Sequence, residues 1–208
     1  MGNTSSAVKG LASDLAGTTD ICDVVADAWA ASYVLPEETV VFALRSARQE
    51  FAFTSRALVT VSAETSTTTR KLVERFEYSA RRVQHVTFES TGVVDRDCEL
   101  ALEVGDKRIT IAVARAKEEA AKTLYKALVR LGQKQEENER EWELATQAMA
   151  TAKDTVRLSE AGTQSLNQQS DETLAWMKTQ YERTHPRCYK DVIVEALEAA
   201  KVGAQEHE

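Results

Sequence analysis

The sequence is poor in cysteine and contains no long apolar run. Its three cysteines, Cys22, Cys98 and Cys188, are far apart and lack a Cys-x-x-Cys spacing, which argues against a disulfide framework and a zinc site. No apolar stretch approaches the roughly 18 residues that cross a bilayer. The N-terminus also lacks the apolar core of a secretory signal. We therefore expect an intracellular, cytoplasmic protein.

Basic residues are outnumbered, 26 Lys and Arg against 33 Asp and Glu. The net charge of -7 argues against a general nucleic-acid binder, because phosphate contacts need a cationic surplus. The charge is also uneven, with -3 over residues 1–35, +2 over residues 36–131 and -6 over residues 132–208. Only the middle range is suited to an anionic ligand.

Patterns that indicate catalysis are missing. His85, His185 and His207 are scattered without metal-ligand spacing, and neither a glycine-rich phosphate loop nor a nucleophile elbow is present. Asp95 and Asp97 provide too few ordered oxygen ligands for calcium. The sequence therefore predicts a protein that is not an enzyme and that holds neither a metal nor a cofactor.

The middle range has the alternating pattern of half-buried strands. Val40, Phe42 and Leu44 fall on one face of the first candidate. Between the last two candidates, Gly105 and Asp106 suit a two-residue type II′ hairpin, because glycine accepts a positive φ. The seven predicted strands lie around residues 40–44, 51–53, 58–61, 72–78, 83–88, 100–104 and 109–113.

Helical spacing occurs on both sides of these strands. Before them, the pattern predicts two short helices, one carrying Val8, Leu11 and Leu15 and one capped by Asp20 that runs through Trp29. After them, an apolar stripe predicts a helix that Gly132 ends or bends; its members are Ala121, Leu124, Leu128 and Leu131. The expected organisation is a helical segment over 1–35, a globular domain over 36–131 and a helical extension over 132–208.

Three amphipathic segments are predicted within this extension. The first carries a heptad-like stripe from Trp142 to Val156, although two heptads are too few to establish a coiled coil. The second includes Leu166 and Tyr181. His185-Pro186 then interrupts the helical pattern before a last helix around residues 192–200.

Four short motifs in the middle range resemble the bacterial pleckstrin-homology-like (PH-like) family over about residues 37–131. They are Phe53-Thr54-Ser55-Arg56-Ala57-Leu58-Val59, Glu77-Tyr78-Ser79, Phe88-Glu89-Ser90-Thr91-Gly92 and Asp95-Arg96-Asp97-Cys98-Glu99-Leu100. The resemblance implies an α+β fold, in which a seven-stranded antiparallel barrel is capped by a C-terminal helix. It also implies a binding or scaffolding role, self-assembly into a homo-oligomer and no activity. The chain departs from the family at Glu77, where proline is usual, and at residues 66–69, where the usual glycine turn is missing.

Four cations are candidate contacts for an anionic ligand. Phosphoinositide-binding members of the wider superfamily use Lys and Arg of their first two strands and the connecting loop, and the resemblance places Arg45 and Arg48 there. Arg70 and Lys71 are further candidates. The alternative is that all four simply face solvent.

The first six residues fit the N-myristoylation pattern, with Gly2 as the acylated residue and Ser6 at the hydroxyl position. One acyl chain binds membranes only weakly, so stable attachment needs a second contact. The basic face of the barrel or the avidity of an oligomer could provide it. The modification itself requires a eukaryotic or similarly equipped cell.

Large apolar side chains of the extension are candidate contacts for a protein partner, namely Trp142, Met149, Trp176, Met177 and Tyr181. The alternative is that they pack on one another and on the barrel. The sequence thus predicts a non-catalytic adaptor, tethered at the cytoplasmic face of a membrane and bound to a protein through its helices. The second hypothesis is a self-assembling structural protein without a membrane role.

Overall fold

The computed structural model describes residues 21–63, 70–90, 97–156 and 166–205. These residues form two compact units. The first contains the described residues up to Gly132 together with those from Cys188, and the second is Gln133–Arg187. Gly2, Asp95 and the first predicted N-terminal helix lie outside the described residues.

The described part of the first unit contains eight strands in two antiparallel sheets. The larger sheet has the order β1-β2-β3-β4-β5 and the smaller one the order β6-β7-β8. The strands are β1 (Asp23–Val24), β2 (Val40–Arg45), β3 (Gln49–Thr54), β4 (Ala57–Ala63), β5 (Lys71–Glu77), β6 (Val83–Ser90), β7 (Asp97–Val104) and β8 (Lys107–Ala114). The seven predicted strands are confirmed, and β1 is additional.

The residue before β1 connects the two sheets. The N–H of Cys22 donates to the carbonyl of Ala112 at 2.7 Å, and the N–H of Ala114 donates to the carbonyl of Cys22 at 2.8 Å. Directly afterwards, Val24 pairs with Leu44 of β2. The sheets are therefore continuous along this side of the barrel, and their inner faces enclose one core.

Two helices supply apolar side chains to this core. A short 3₁₀ helix (Arg115–Lys117) leads from β8 into helix α1 (Glu118–Val156), and the last helix is α3 (Lys190–Gln205). Leu124 and Leu131 of α1 are completely buried, and Ile193 and Leu197 of α3 belong to the same cluster. The predicted capping helix is confirmed, and the final helix of the chain packs on the barrel as well.

A second, smaller core lies on the outer face of the larger sheet. Ala43, Ala52 and Ala57 pack there against Ala30, which is completely buried within a 3₁₀ helix (Trp29–Ser32). Because these side chains are small, the 3₁₀ segment can lie close to the strands. The predicted helix from Asp20 through Trp29 is therefore wrong, since pairing of Asp23–Val24 with β2 overrides the helical spacing.

Gly132 does not end α1, as one of the two predicted alternatives had it, because the helix continues to Val156. The glycine has a different role. A Cβ atom at position 132 would lie 2.4 Å from the carbonyl oxygen of Val83 at the start of β6. Glycine is needed here for the close approach of the helix to the strand.

The hairpin turns follow the expected chemistry. The Thr54 hydroxyl accepts the N–H groups of Arg56 at 3.1 Å and Ala57 at 2.8 Å, which closes the tight β3–β4 turn. Gly105 has a φ of +64°, whereas the φ of Asp106 is not positive. A type II′ turn requires this combination. His85, at φ 48°, lies within a register shift of β6, which explains the imperfect alternation of that strand.

The second unit consists of the remainder of α1 and helix α2 (Leu166–Thr184). Trp142 of α1 packs edge-on against Tyr181 of α2, with ring centroids 5.4 Å apart. His185 stacks on Tyr181 at 4.1 Å. The predicted break at His185-Pro186 is confirmed, because α2 ends at Thr184.

Candidate functional site at the mouth of the barrel

Strand register brings three of the four predicted cations to one end of the larger sheet. Arg45 is the last residue of β2, and Arg48 lies in the turn that follows. The carbonyl of Arg48 accepts the N–H of Ala63 at 2.8 Å, and Ala63 pairs with Lys71. Arg70 precedes Lys71 and is exposed. We call this end of the sheet, with its adjoining turns, the barrel mouth.

An indole ring links two of these cations. The guanidinium carbon of Arg45 lies 4.9 Å from the centroid of the Trp29 ring, and the ammonium nitrogen of Lys71 lies 4.5 Å from it. Cations over an aromatic face are attracted by the negative potential of the ring. A half-buried tryptophan flanked by cations is a composition typical of interfacial surfaces.

The position of Trp29 is fixed by a buried carboxylate. Glu50 is completely buried on the outer face of β3. Its two oxygens accept the N–H groups of Trp29 at 2.8 Å and Ala30 at 2.7 Å, the first residues of the 3₁₀ helix. The carboxylate therefore satisfies backbone donors that the helix itself leaves without partners.

Arg45 is largely engaged inside the fold. Its guanidinium donates to the carbonyl of Asp27 at 2.8 Å and lies 3.4 Å from the Asp27 carboxylate and 3.7 Å from that of Glu50. Its side chain is 21% exposed. The Lys71 side chain, by contrast, is exposed at the start of β5. Arg45 thus positions the Trp29 segment, whereas Lys71 lies over the Trp29 ring with its side chain exposed.

A cleft of about 240 Å³ opens between the two sheets at the barrel mouth. The apolar residues that line it with inward-facing side chains are Phe51, Phe76 and Ile109, and its polar residues include Gln49, Thr60, Ser62 and Thr110. Lys107 crosses it to the Glu74 carboxylate at 3.0 Å and 3.3 Å. Arg108 also lines it. The cleft therefore offers hydroxyl groups and two cations to a small polar group.

Lys107 and Arg108 were not among the residues predicted from sequence. The signal was present, because both directly follow the predicted Gly105-Asp106 turn. What the sequence could not show is that β8 starts beside β5, since this follows from the packing of two separate sheets. The cations of the barrel mouth are Arg45, Arg48, Arg70, Lys71, Lys107 and Arg108. Asp27 and Glu50 lie beside Arg45, and Glu74 lies beside Lys107, so the surplus of positive charge is small.

The predicted partner-binding residues lie in the second unit, where they differ in exposure. Trp142 and Tyr181 contact each other, and Met149 and Met177 are half-buried. Trp176 is exposed. Two exposed leucines that the prediction did not include, Leu144 and Leu174, are 65% and 68% exposed. Four of the eight large apolar side chains that are exposed among the described residues, Leu144, Leu174, Trp176 and Tyr181, therefore lie on this hairpin.

Among the described residues, His, Cys, Asp and Glu side chains are nowhere grouped in a way that could hold a metal ion. The helices of the described ranges are also too short or too polar to cross a membrane.

A barrel of two antiparallel sheets with a helix across it defines a pleckstrin-homology fold. A model of the bacterial PH domain matches residues 12–131, which is more than half of the chain. The chain therefore belongs to the bacterial PH domain family, which confirms the resemblance. PH domains commonly mediate protein or lipid interactions, and the family and fold are typically non-catalytic. In general terms, the chain is therefore a binding module.

Individual relatives are bacterial. YvbH of Bacillus subtilis (strain 168) is 31% identical over 138 residues, which cover 63% of this chain and 68% of YvbH. The crystal structure of a PH-domain-containing protein from Exiguobacterium sibiricum 255-15 is 28% identical, with a TM-score of 0.77, and the match covers 86% of this chain and 100% of that one. A PH-domain protein of the DUF1696 family from Shewanella loihica PV-4 has a TM-score of 0.40 at 18% identity, covering 50% of this chain and 86% of that one.

The likeness to the Exiguobacterium protein extends beyond the PH domain. It covers 86% of the chain, whereas the family match ends at residue 131. A large part of the helical region after residue 131 must therefore be shared. The helical extension is a common feature of both proteins.

Proposed function

We propose that the chain is a non-catalytic adaptor whose barrel mouth binds an anionic membrane surface, while the helical hairpin of the second unit binds a protein. The observation that carries the first part is the convergence of cations from separate segments around one tryptophan. Lys71 and Arg45 flank Trp29, and Lys107 and Arg108 line the adjoining cleft. The proposed location is the cytoplasmic face of a membrane.

The small charge surplus of the barrel mouth limits the expected strength of binding. Lys107 is paired with Glu74, and Arg45 is paired with Asp27, so an incoming anion competes with these carboxylates. Each cation near an anionic membrane surface contributes about 1 kcal/mol at most, and salt screens the attraction over about 10 Å at 0.1 M. We therefore expect weak, salt-sensitive attachment that depends on several cations together.

Co-sedimentation with vesicles tests the membrane contact. The full chain should sediment with vesicles that contain phosphatidylglycerol and not with vesicles of phosphatidylcholine alone. Replacing Arg48 and Lys71 by Gln should reduce the bound fraction severalfold. The matched control replaces two exposed cations elsewhere, Arg187 and Lys201, by Gln, and should bind as the wild type does. Equal loss in both variants would show unspecific charge attraction and would contradict the proposal.

The myristate prediction remains a separate hypothesis, because Gly2 lies outside the described residues. If Gly2 is acylated in a cell that contains the transferase, the intact mass of the endogenous protein rises by one myristoyl group. The variant Gly2→Ala should then be released from membranes. The contact at the barrel mouth does not depend on this modification, since its cations belong to the folded domain.

The exposed side chains Leu144, Leu174 and Trp176 support the protein contact, and also the second hypothesis of a self-assembling structural protein. Light scattering of the full chain separates the two. A defined oligomer that dissociates in the variant Leu174→Ser with Trp176→Ser supports self-assembly through the hairpin. A monomer at all concentrations would favour a different protein as the partner.

A further inference from the structure

A groove of about 470 Å³ lies between α1 and α3 in the first unit, separate from the barrel mouth. We propose that it binds an amphipathic helix of a partner protein, with acidic residues along one flank of the apolar stripe and basic residues along the other. This inference goes beyond the proposed function, because it adds a protein contact on the PH domain itself.

The floor of the groove comes from a second apolar face of α3. Ile193 and Leu197 face the core, so they anchor the helix on the barrel. Val192 and Ala196 are only half-buried, and Ala199 is exposed; all three line the groove. Small side chains on a helix surface allow another helix axis to approach to about 8–10 Å. The floor therefore suits a packed helix.

The two walls carry opposite charges. Lys126 and Arg130 lie one turn apart on the same face of α1, and both line the groove. Glu195 of α3 lies on the other wall. Each of the three side chains is exposed. A helix whose acidic flank faces α1 and whose basic flank faces α3 matches both walls at once.

This charge pattern distinguishes a helix from a simple anionic amphiphile. The head group of an amphiphile carries one sign of charge and would leave Glu195 with a like charge beside it. A helix presents separate flanks, and apolar residues at positions i, i+3, i+4 and i+7 can follow a shallow floor. Because the walls carry opposite charges, they also fix the direction of the partner helix. Turning the helix end for end would bring its acidic flank to Glu195 and its basic flank to Lys126 and Arg130.

Two synthetic peptides provide the probe. Each has the same leucine and alanine stripe; the first has Glu along one flank and Lys along the other, and the second has Glu and Lys mixed on both flanks. Composition, net charge and helical tendency are therefore matched. Fluorescence anisotropy with the full chain should show at least tenfold tighter binding of the first peptide than of the second.

A groove with two acidic walls then tests whether the walls cause this preference. In the double variant Lys126→Glu and Arg130→Glu, one flank of the first peptide is always repelled, so the two peptides should bind equally. Ala199→Trp, which fills the groove from an exposed position, should abolish binding of both. Circular dichroism and the melting temperature check that these variants remain folded.

Three results would overturn the proposal. They are the absence of binding by either peptide at millimolar concentration, equal binding of both by the wild type, and an unchanged preference in the double variant. Dodecyl phosphate serves as a further probe. If it binds in a manner that depends on Lys126 and Arg130 while neither peptide binds, the groove holds an anionic amphiphile and the helix proposal is wrong.

Discussion

Position 132 of α1 lies so close to the carbonyl oxygen of Val83 that a Cβ atom there would be only 2.4 Å from it. Helix α1 runs past the start of β6 at this point, and only glycine permits the approach. The same residue lies inside a helix, where glycine is normally less favourable than alanine by about 1 kcal/mol. The packing requirement therefore outweighs the helix propensity at this position.

Replacing Gly132 by Ala should lower the free energy of unfolding by up to about 2 kcal/mol, because overpacking costs about 1–3 kcal/mol and the gain in helix propensity offsets only about 1 kcal/mol of it. Thermal or urea unfolding measures this change. The control is Ala148→Gly at an exposed position of the same helix. It should lower the free energy of unfolding by about 1 kcal/mol, because only the helix propensity changes there. A Gly132→Ala variant that is more stable than the wild type would show that the helix can move away from β6.

The buried Glu50 carboxylate should be required for the outer layer of the barrel. In Glu50→Gln one oxygen becomes an amide donor facing a backbone N–H, so one of the hydrogen bonds to Trp29 and Ala30 is lost. We expect a loss of about 1–3 kcal/mol in stability. Tryptophan fluorescence of the folded variant should also change, since Trp29 depends on this anchor.

Glu89→Gln, at an exposed position of β6, is the matched control and should change the free energy of unfolding by less than about 0.5 kcal/mol. If both variants were equally stable, the hydrogen bonds of Glu50 would have no net value for folding.

The strands could be predicted from sequence because their signals are local. Val40, Phe42 and Leu44 alternate within one strand, and Gly105 marks the last turn regardless of what surrounds it. The elements that were predicted wrongly depend on distant partners. Asp23–Val24 is a strand only because β2 lies beside it, and Gly132 is required by a carbonyl group about fifty residues earlier. For the same reason Arg45, Arg48 and Lys71 could be named as candidates, whereas the contact that Arg45 and Lys71 share with Trp29, and the addition of Lys107, required the folded chain.

Acid should weaken the hydrogen bonds that join Glu38, which lies before β2, to Thr54 of β3 and Arg75 of β5. Burial alone would raise the pKa of Glu38, but hydrogen bonds from Arg75, Thr54 and the N–H of Leu35 outweigh it and lower the pKa below the usual value of 4.5. Arg75 donates to this carboxylate at 2.8 Å. A lowered pKa means that the carboxylate stabilises the fold above about pH 4.5 and that this stabilisation is lost as the pH falls through the folded-state value.

Urea unfolding of the wild type and of Glu38→Gln between pH 7 and pH 3 tests this. The wild type should be the more stable of the two at pH 7, with a constant difference down to about pH 5 and a shrinking one below. A difference that grew on acidification would mean that the pKa of Glu38 is raised. Glu89→Gln again serves as the control and should show a difference that does not change with pH.

The last helix should be required for the stability of the PH domain, although the family match ends before it. The N–H of Tyr189 donates to the carbonyl of Ser55 at 2.8 Å, and its ring packs edge-on against Tyr78, with centroids 6.3 Å apart. Burial raises the pKa of the Tyr78 hydroxyl, which therefore stays protonated. One turn further along, Ile193 is 3% exposed within the barrel core.

Ile193→Ala should lower the free energy of unfolding by about 2–4 kcal/mol, because it removes buried apolar groups and leaves a cavity. Val202→Ala, in the same helix at a position that is 59% exposed, should cost less than about 0.5 kcal/mol. A chain that ends at Gly132 should be more strongly affected than either variant, since it exposes the core under Tyr189, Ile193 and Leu197 together. If this shortened chain unfolded at the temperature of the full chain, α3 would be an appendage rather than part of the domain.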